Sequence, residues 1–216
     1  MADLPISNNR MLKSHYKRLF ISISTILCFG LKGYGQHHIS KYEVCWAFFH
    51  PFAALKIKHH LPKAMEVYKT VKLSKTLDTF ESGGKLDAFR HTYTMAYLGR
   101  MIKGKKLKKL GIAHEKGNKR QFVKAELEDN ERPDSLACEM DLRNNEVGIQ
   151  LGTANKKCSN EELKEIVIKN ILSGNTWYLK RNSKGQYVNC AGEPIDFKLF
   201  MGKWSMPKCL IKTNES

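Results

Sequence analysis

The chain has 216 residues, which fits one domain with at most a small appendage. Its hydrophobic fraction of 42% is ordinary for a globular protein and sets aside a chain too polar to build a core. Its formal net charge of +16 is not ordinary. A surplus of that size bears on solubility and partners rather than on fold, and it points first to nucleic acid, anionic phospholipid head groups or envelope polymers.

The N-terminus reads as an export signal. Lys13, Lys17 and Arg18 form a positive region ahead of Leu19 to Leu31, an uncharged apolar run. That run falls short of the roughly 20 residues a transmembrane helix needs. Gly33-Tyr34-Gly35 then places small residues at the −3 and −1 positions of a cleavage before Gln36. Residues 1–35 are therefore expected to be an N-terminal extension plus signal peptide, with Met1 or Met11 as the start. The mature protein is expected to be secreted or periplasmic. The alternative is an uncleaved signal anchor. Removing 1–35 takes away five basic residues and one acidic one, leaving a net charge of about +12. Five cysteines remain: Cys45, Cys138, Cys158, Cys190 and Cys209. Export permits disulfides, and Cys190 and Cys209, which flank the C-terminal segment, are the expected pair. No CxxC occurs, so there is no zinc-finger spacing.

Ser40 and Glu43 make a capping box, which predicts a helix starting near Lys41. Pro51 interrupts it and opens a second piece, and Pro62 opens a third with Met65, Tyr68 and Val71 near helical spacing. Gly83-Gly84 breaks the chain. From Lys85, a helix follows with Leu86, Phe89, Tyr93, Ala96 and Tyr97 on one face, ending near Gly104. A strongly basic stretch from Lys103 to Lys124 comes next, in which Leu107, Leu110 and Ala113 seat a short helix. An acidic loop holds Glu126, Glu128, Asp129 and Glu131. Pro133-Asp134 starts a helix with Leu136, Met140, Val147 and Leu151 on its apolar side. A second capping box, Ser159 and Glu162, starts another that Leu163, Ile166, Val167 and Ile171 carry to Gly174. Trp177 to Leu179 and Tyr187 to Val188 are β-prone and flank Asn182-Ser183-Lys184-Gly185, a hairpin signal. The last dozen residues read as a weakly anchored tail. The expected fold is mainly α: a compact helical domain over 36–175, with a small C-terminal β-hairpin and tail over 176–216.

Three segments carry polar residues where a core face belongs. In the first, Asp87 and His91 are i,i+4 helix neighbours with Arg90 close by. A carboxylate beside an imidazole sets its tautomer and raises its basicity, which suits a general base or a metal ligand. The plain alternative is a surface ion pair worth a few tenths of a kcal/mol. The second is His114-Glu115, adjacent residues that diverge by about 100° on a helix and need not serve one site. It is not the HExxH pattern, because Asn118 stands where the pattern needs its later residues and no second histidine follows. In the third, Asp141, Asn144, Asn145 and Gly148 form a polar stripe at i, i+3, i+4 and i+7. A helix that accepts two Asn and a Gly on one face needs a reason, since these residues weaken helices. The reason is either close approach of another helix with buried amide hydrogen bonds, or an active site.

The runs Lys85-Leu86-Asp87-Ala88-Phe89-Arg90-His91, Ala113-His114-Glu115 and Glu139-Met140-Asp141-Leu142-Arg143-Asn144-Asn145-Glu146-Val147-Gly148 resemble an uncharacterised bacterial domain-of-unknown-function family. Its members carry DAFRH, AHE and MDLxNNxxG segments in that order, and occur in exported and toxin-like proteins. The resemblance covers about Tyr42 to Gly152 and includes Trp46 and His50-Pro51. Tyr93-Thr94 departs from the Tyr-Trp usual after the first motif. The resemblance implies no established activity.

Two readings follow from the residues. In one, the domain is a hydrolase acting on a phosphodiester or other anionic substrate by acid–base or metal-assisted chemistry. His91, His114, Glu115 and Asp141 are its expected catalytic or ligating set, and Asp87 orients the imidazole. Arg90, Asn144 and Asn145 contact the substrate. A divalent metal is compatible with this set. In the other, the domain is a non-enzymatic exported binder of an anionic surface, and the same residues form a structural hydrogen-bond network. No phosphate-cradling glycine loop, Rossmann turn or serine nucleophile elbow is present in the sequence, so no nucleotide cofactor is expected.

Overall fold

The computed structural model describes residues 39–124 and 132–215. The expected signal peptide and the acidic loop lie outside the described residues. Those described fall within one compact unit, Ile39–Ser216.

Six α-helices, a short 3-10 helix at Phe197–Phe200 and a two-stranded antiparallel sheet make up the regular structure of the described residues, a mainly α fold with a small C-terminal sheet as expected. Helix α1 (Lys41–Phe49) opens with the expected capping box, in which Ser40 Oγ accepts from Glu43 N and Glu43 Oε2 from Ser40 N. Helix α2 is continuous over Pro51–Ser74, where Pro62 was expected to open a separate helix. Proline removes one intrahelical donor and crowds the preceding turn. The buried face of Ala53 and Ala54 before it and of Ala64, Tyr68 and Val71 after it spans the defect.

Helix α3 (Lys85–Gly99) is the centre of the molecule. Ala88, Phe89, Tyr93 and Ala96 are all 0% exposed, as befits a helix packed on several sides. Its entry is held from a distance. Asp78 accepts hydrogen bonds from Lys85 N, Leu86 N and Phe80 N, satisfying first-turn amides that Gly84 at the N-cap cannot reach. Gly84 is required there because a Cβ would collide with Phe80 and Asp78. Helix α2 lies antiparallel to α3: Lys56 Nζ reaches Met101 O and the His60 ring lies against Tyr97.

Helix α4 (Gly104–Lys124) is 21 residues long, not the short helix expected within the basic stretch. Its lysines line the outer face, while Leu107, Gly111, Ala113, Glu115, Gly117 and Asn118 make a buried one. Helix α1 packs on it, with Trp46 Nε1 donating to Lys106 O at 2.9 Å. Helix α5 (Ser135–Ala154) is capped by Asp134, whose carboxylate accepts from Leu136 N and Ala137 N. Helix α6 (Asn160–Leu172) starts at the second capping box. Tyr93 of α3 and Arg100 just past its end both hydrogen-bond to the α6 entry around Cys158 and Asn160.

The C-terminal segment departs from expectation in its pairing. The Asn182–Gly185 turn forms, with Asn182 Oδ1 accepting from Lys184 N and Gln186 N, and Arg181 bridges Tyr187. Yet β1 (Trp177–Leu179) pairs with β2 (Leu210–Lys212), residues read from sequence as a loose tail. Three non-local ties draw that tail in: the Cys190–Cys209 disulfide, as expected, and the bonds from Thr213 Oγ1 to Ile171 O and to Thr176. Cys45, Cys138 and Cys158 stay outside the disulfide. No helix of the described residues is long and apolar enough to cross a membrane.

Candidate functional site

Helices α3 and α5 run parallel and touch along one seam. At its C-terminal half, Gly148 and Gly152 of α5 face the Thr92 and Ala96 carbonyls of α3, and a Cβ on either glycine would overlap those oxygens. Thr92 Oγ1 adds a bond to Asn144 O at 3.3 Å. The close approach entertained for Gly148 is therefore real, and only glycine permits it.

One turn toward the N-terminal half, the seam is filled by ionisable side chains. His91 Nε2 lies 3.5 Å from Asp87 Oδ1 and 3.3 Å from Asp141 Oδ1. His91 Nδ1 lies 3.3 Å from Asn145 Oδ1. That amide oxygen only accepts, so the contact places a proton on Nδ1 and turns Nε2 toward the two carboxylates. Asp87 is pinned from its other side by Gly83 N at 2.7 Å, and Arg90 Nη2 sits 2.8 Å from Asp87 Oδ1. The side chains are 5% exposed at Asp87, 11% at Asp141, 13% at His91 and 23% at Arg90, so a buried floor rises to an accessible lip.

Nε2 of His91 and one oxygen each of Asp87 and Asp141 lie within 4.8 Å of one another. One imidazole and two carboxylates form a donor set for a divalent cation such as Mn²⁺ or Zn²⁺. Among the described residues, this is the one group of three or more such donors close enough to share an ion. In the described contacts the imidazole sits between the two carboxylates.

The other predicted residues divide. Asn145 belongs to the cluster through His91. Asn144 is fully buried, and both ends of its amide hold β1: Nδ2 donates to Trp177 O and Oδ1 accepts from Trp177 N, each at 2.9 Å. That geometry ties the sheet to α5. Glu115 is buried and accepts from Asn118 Nδ2 at 3.0 Å. Helix α4 runs antiparallel to α5, with Gly104 against Ile149 and Gly111 against Asn145. Glu115, one turn past Gly111, is thereby placed toward the Asp141 end of α5. His114 Nδ1 lies 3.3 Å from Glu43 Oε1 of α1, a second carboxylate–imidazole pair.

Sequence reasoning missed Gly83 as the donor to Asp87, and Glu43 as partner of His114. The capping box marked Glu43 as structural, and nothing local indicates that its other oxygen meets a side chain 71 residues away.

A family model described as "Domain of unknown function (DUF6973)" matches residues 44–175. That span holds Asp87, His91, His114, Glu115 and Asp141 and stops just ahead of β1. No curated protein and no solved structure matches the chain.

Proposed function

The chain belongs to that family of unknown function, and from this premise we propose that it is an exported hydrolase whose centre is the Asp87–His91–Asp141 cluster, acting on a phosphodiester or related anionic substrate. The observation that carries the proposal is the convergence of His91 with the Asp87 and Asp141 carboxylates from two helices, with His91 and the adjoining Arg90 partly exposed. Asp87, His91 and Asp141 would hold a divalent cation, which would supply Lewis-acid polarisation of a phosphoryl oxygen and activation of water. Asn145 keeps His91 in the required tautomer, and the Gly83 amide fixes Asp87. Arg90 is the group proposed to meet the anion, and Glu115 is the proposed general base. The net charge of +16 favours encounter with polyanions. A disulfide between Cys190 and Cys209 supports an oxidising compartment.

One observation favours the second reading, a non-enzymatic binding domain whose polar stripe is structural: Asn144, in the middle of that stripe, is buried and holds β1 through both ends of its amide. The deciding experiment measures bound metal in the purified protein and turnover on phospholipid and nucleic-acid panels, for the parent and for His91→Ala and Asp141→Asn. Metal and turnover in the parent, both lost in variants that stay folded, support the hydrolase. No metal, no turnover and strong destabilisation of both variants overturn it. Export is checked by sequencing the N-terminus of protein from its native host: a start at Gln36 is expected, and an intact start in the cytosol would sink it.

A further inference from the structure

A groove of about 550 Å³ opens between the start of α5 and the C-terminal segment, within the size range of small-ligand sites. Its wall is apolar: Phe122 from α4, then Pro133, Ile195, Phe197, Phe200 and Met206. At the mouth, Phe197 is 45% and Met201 78% exposed. Four cations line it, Arg132, Arg181, Lys203 and Lys208, against one carboxylate, Asp134. That carboxylate is already matched. Lys208 Nζ lies 2.6 Å from Asp134 Oδ2 with both side chains nearly inaccessible. Arg132 and Lys203 make no ion pair among the described residues. Arg132 lies over the Phe122 ring at 4.3 Å and Lys203 over Phe200 at 5.1 Å. The groove is thus an apolar trough whose described lining carries more cations than carboxylates.

We propose that this groove takes the acyl chain and anionic head of a lipid, which makes phospholipid the substrate class of the neighbouring cluster. The substrate assignment rests on the hydrolytic reading above; the groove's own ligand does not. Single-stranded nucleic acid, the other polyanion, needs bare aromatic faces for base stacking. Here cations already cover several of those faces: Arg132 covers Phe122, and Arg181 and Lys208 lie 3.6 and 3.9 Å from the Tyr187 ring centre. The apolar lining that remains suits methylene groups. The groove is also joined to the cluster. Tyr187 Oη and Arg181 both donate to Ser82 O, at 3.2 and 3.0 Å, and the next residue, Gly83, supplies the amide that holds Asp87. Asp134 at the groove and Asp141 in the cluster are two turns apart on α5, roughly 10 Å of helical rise.

The test titrates the full chain with decyl, dodecyl and tetradecyl phosphate below their micelle concentrations, reading tryptophan fluorescence. Trp204, whose ring lies 5.1 Å from that of the groove residue Phe122, is the reporter. These probes contain no diester, so binding is read independently of turnover. Affinity is expected to rise about four-fold per added methylene. It is expected to fall at least ten-fold in Phe197→Asp and in Lys203→Glu, both exposed positions where the fold tolerates change. Inorganic phosphate is expected not to compete at equal concentration. Binding without chain-length dependence, displacement by oligothymidylate, or unchanged affinity in both variants would each overturn the lipid assignment. Chain-length-dependent binding that both substitutions weaken, with no diester turned over, leaves the groove standing and removes the hydrolase reading alone.

Discussion

The two halves of the α3–α5 seam are built on opposite principles from the same pair of helices. In the C-terminal half, Gly148 and Gly152 bring the backbones into contact at Thr92 and Ala96. In the N-terminal half, Asp87, His91, Asp141 and Asn145 fill the same interface with titratable and amide groups. A welded half holds the helix axes at fixed spacing and register, so that the polar half can place three donor atoms within 4.8 Å. Rigidity and chemistry are adjacent along one interface, and substitutions should separate them.

The largest effect is expected in the welded half. Gly152→Val, or Gly148→Val, forces a side chain into a backbone carbonyl and should cost about 3 kcal/mol or more, read as the midpoint shift in urea unfolding. A cost below about 1 kcal/mol would mean the helices do not touch there.

The polar half should respond to ions instead. Mn²⁺ or Zn²⁺ at about a hundred times its dissociation constant should stabilise the parent by about 2.7 kcal/mol through mass action. His91→Ala and Asp141→Asn should lose that increment, while their metal-free stability changes by less than about 1 kcal/mol. Equal stabilisation of parent and variants would place the ion elsewhere. Asn144→Ala tests the boundary between the halves. Losing both bonds to Trp177 should cost about 1–3 kcal/mol with ion binding retained; lost ion binding would assign Asn144 to the site.

The smallest effect concerns pH and guards against misreading His91. His60 lies against Tyr97 in the welded half, and its pKa is held below 6.5 by burial first, then by His59, Lys63, Lys56 and Arg100. The unfolded chain takes up that proton more readily than the folded one. The stability His60 contributes is therefore complete above pH 6.5 and is lost as pH falls through its lower folded value. His60→Gln should flatten unfolding stability between pH 7 and 5. An unchanged slope would shift the dependence onto another histidine.

Much of this architecture is legible locally. Ser40 with Glu43 and Ser159 with Glu162 mark two helix starts that the structure reproduces, because a capping box is a contact between residues three apart. The DAFRH run and the Asp141 to Gly148 stripe were legible as unusual helix faces for the same reason. Pro62 misled because a local rule against helical proline lost to a buried face on both sides of it. The short helix expected among the lysines was too short because periodicity in a basic stretch understates a buried face built partly from glycines and Glu115.

The sequence by itself determined where most of the helices start and which polar residues sit on faces that ought to be apolar, and it offered Cys190–Cys209 as the first pairing to expect. The helix starts and polar faces are set by neighbours along the chain; the disulfide needed the fold to bring its two ends together. Only the tertiary structure decided that Asp87 and His91 meet Asp141 and Asn145, that His114 turns to Glu43, and that the last residues pair with Trp177–Leu179. Those contacts join residues tens of positions apart. They depend on helix registers, and at the α3–α5 seam on backbone approach at two glycines, which a sequence pattern permits but does not specify.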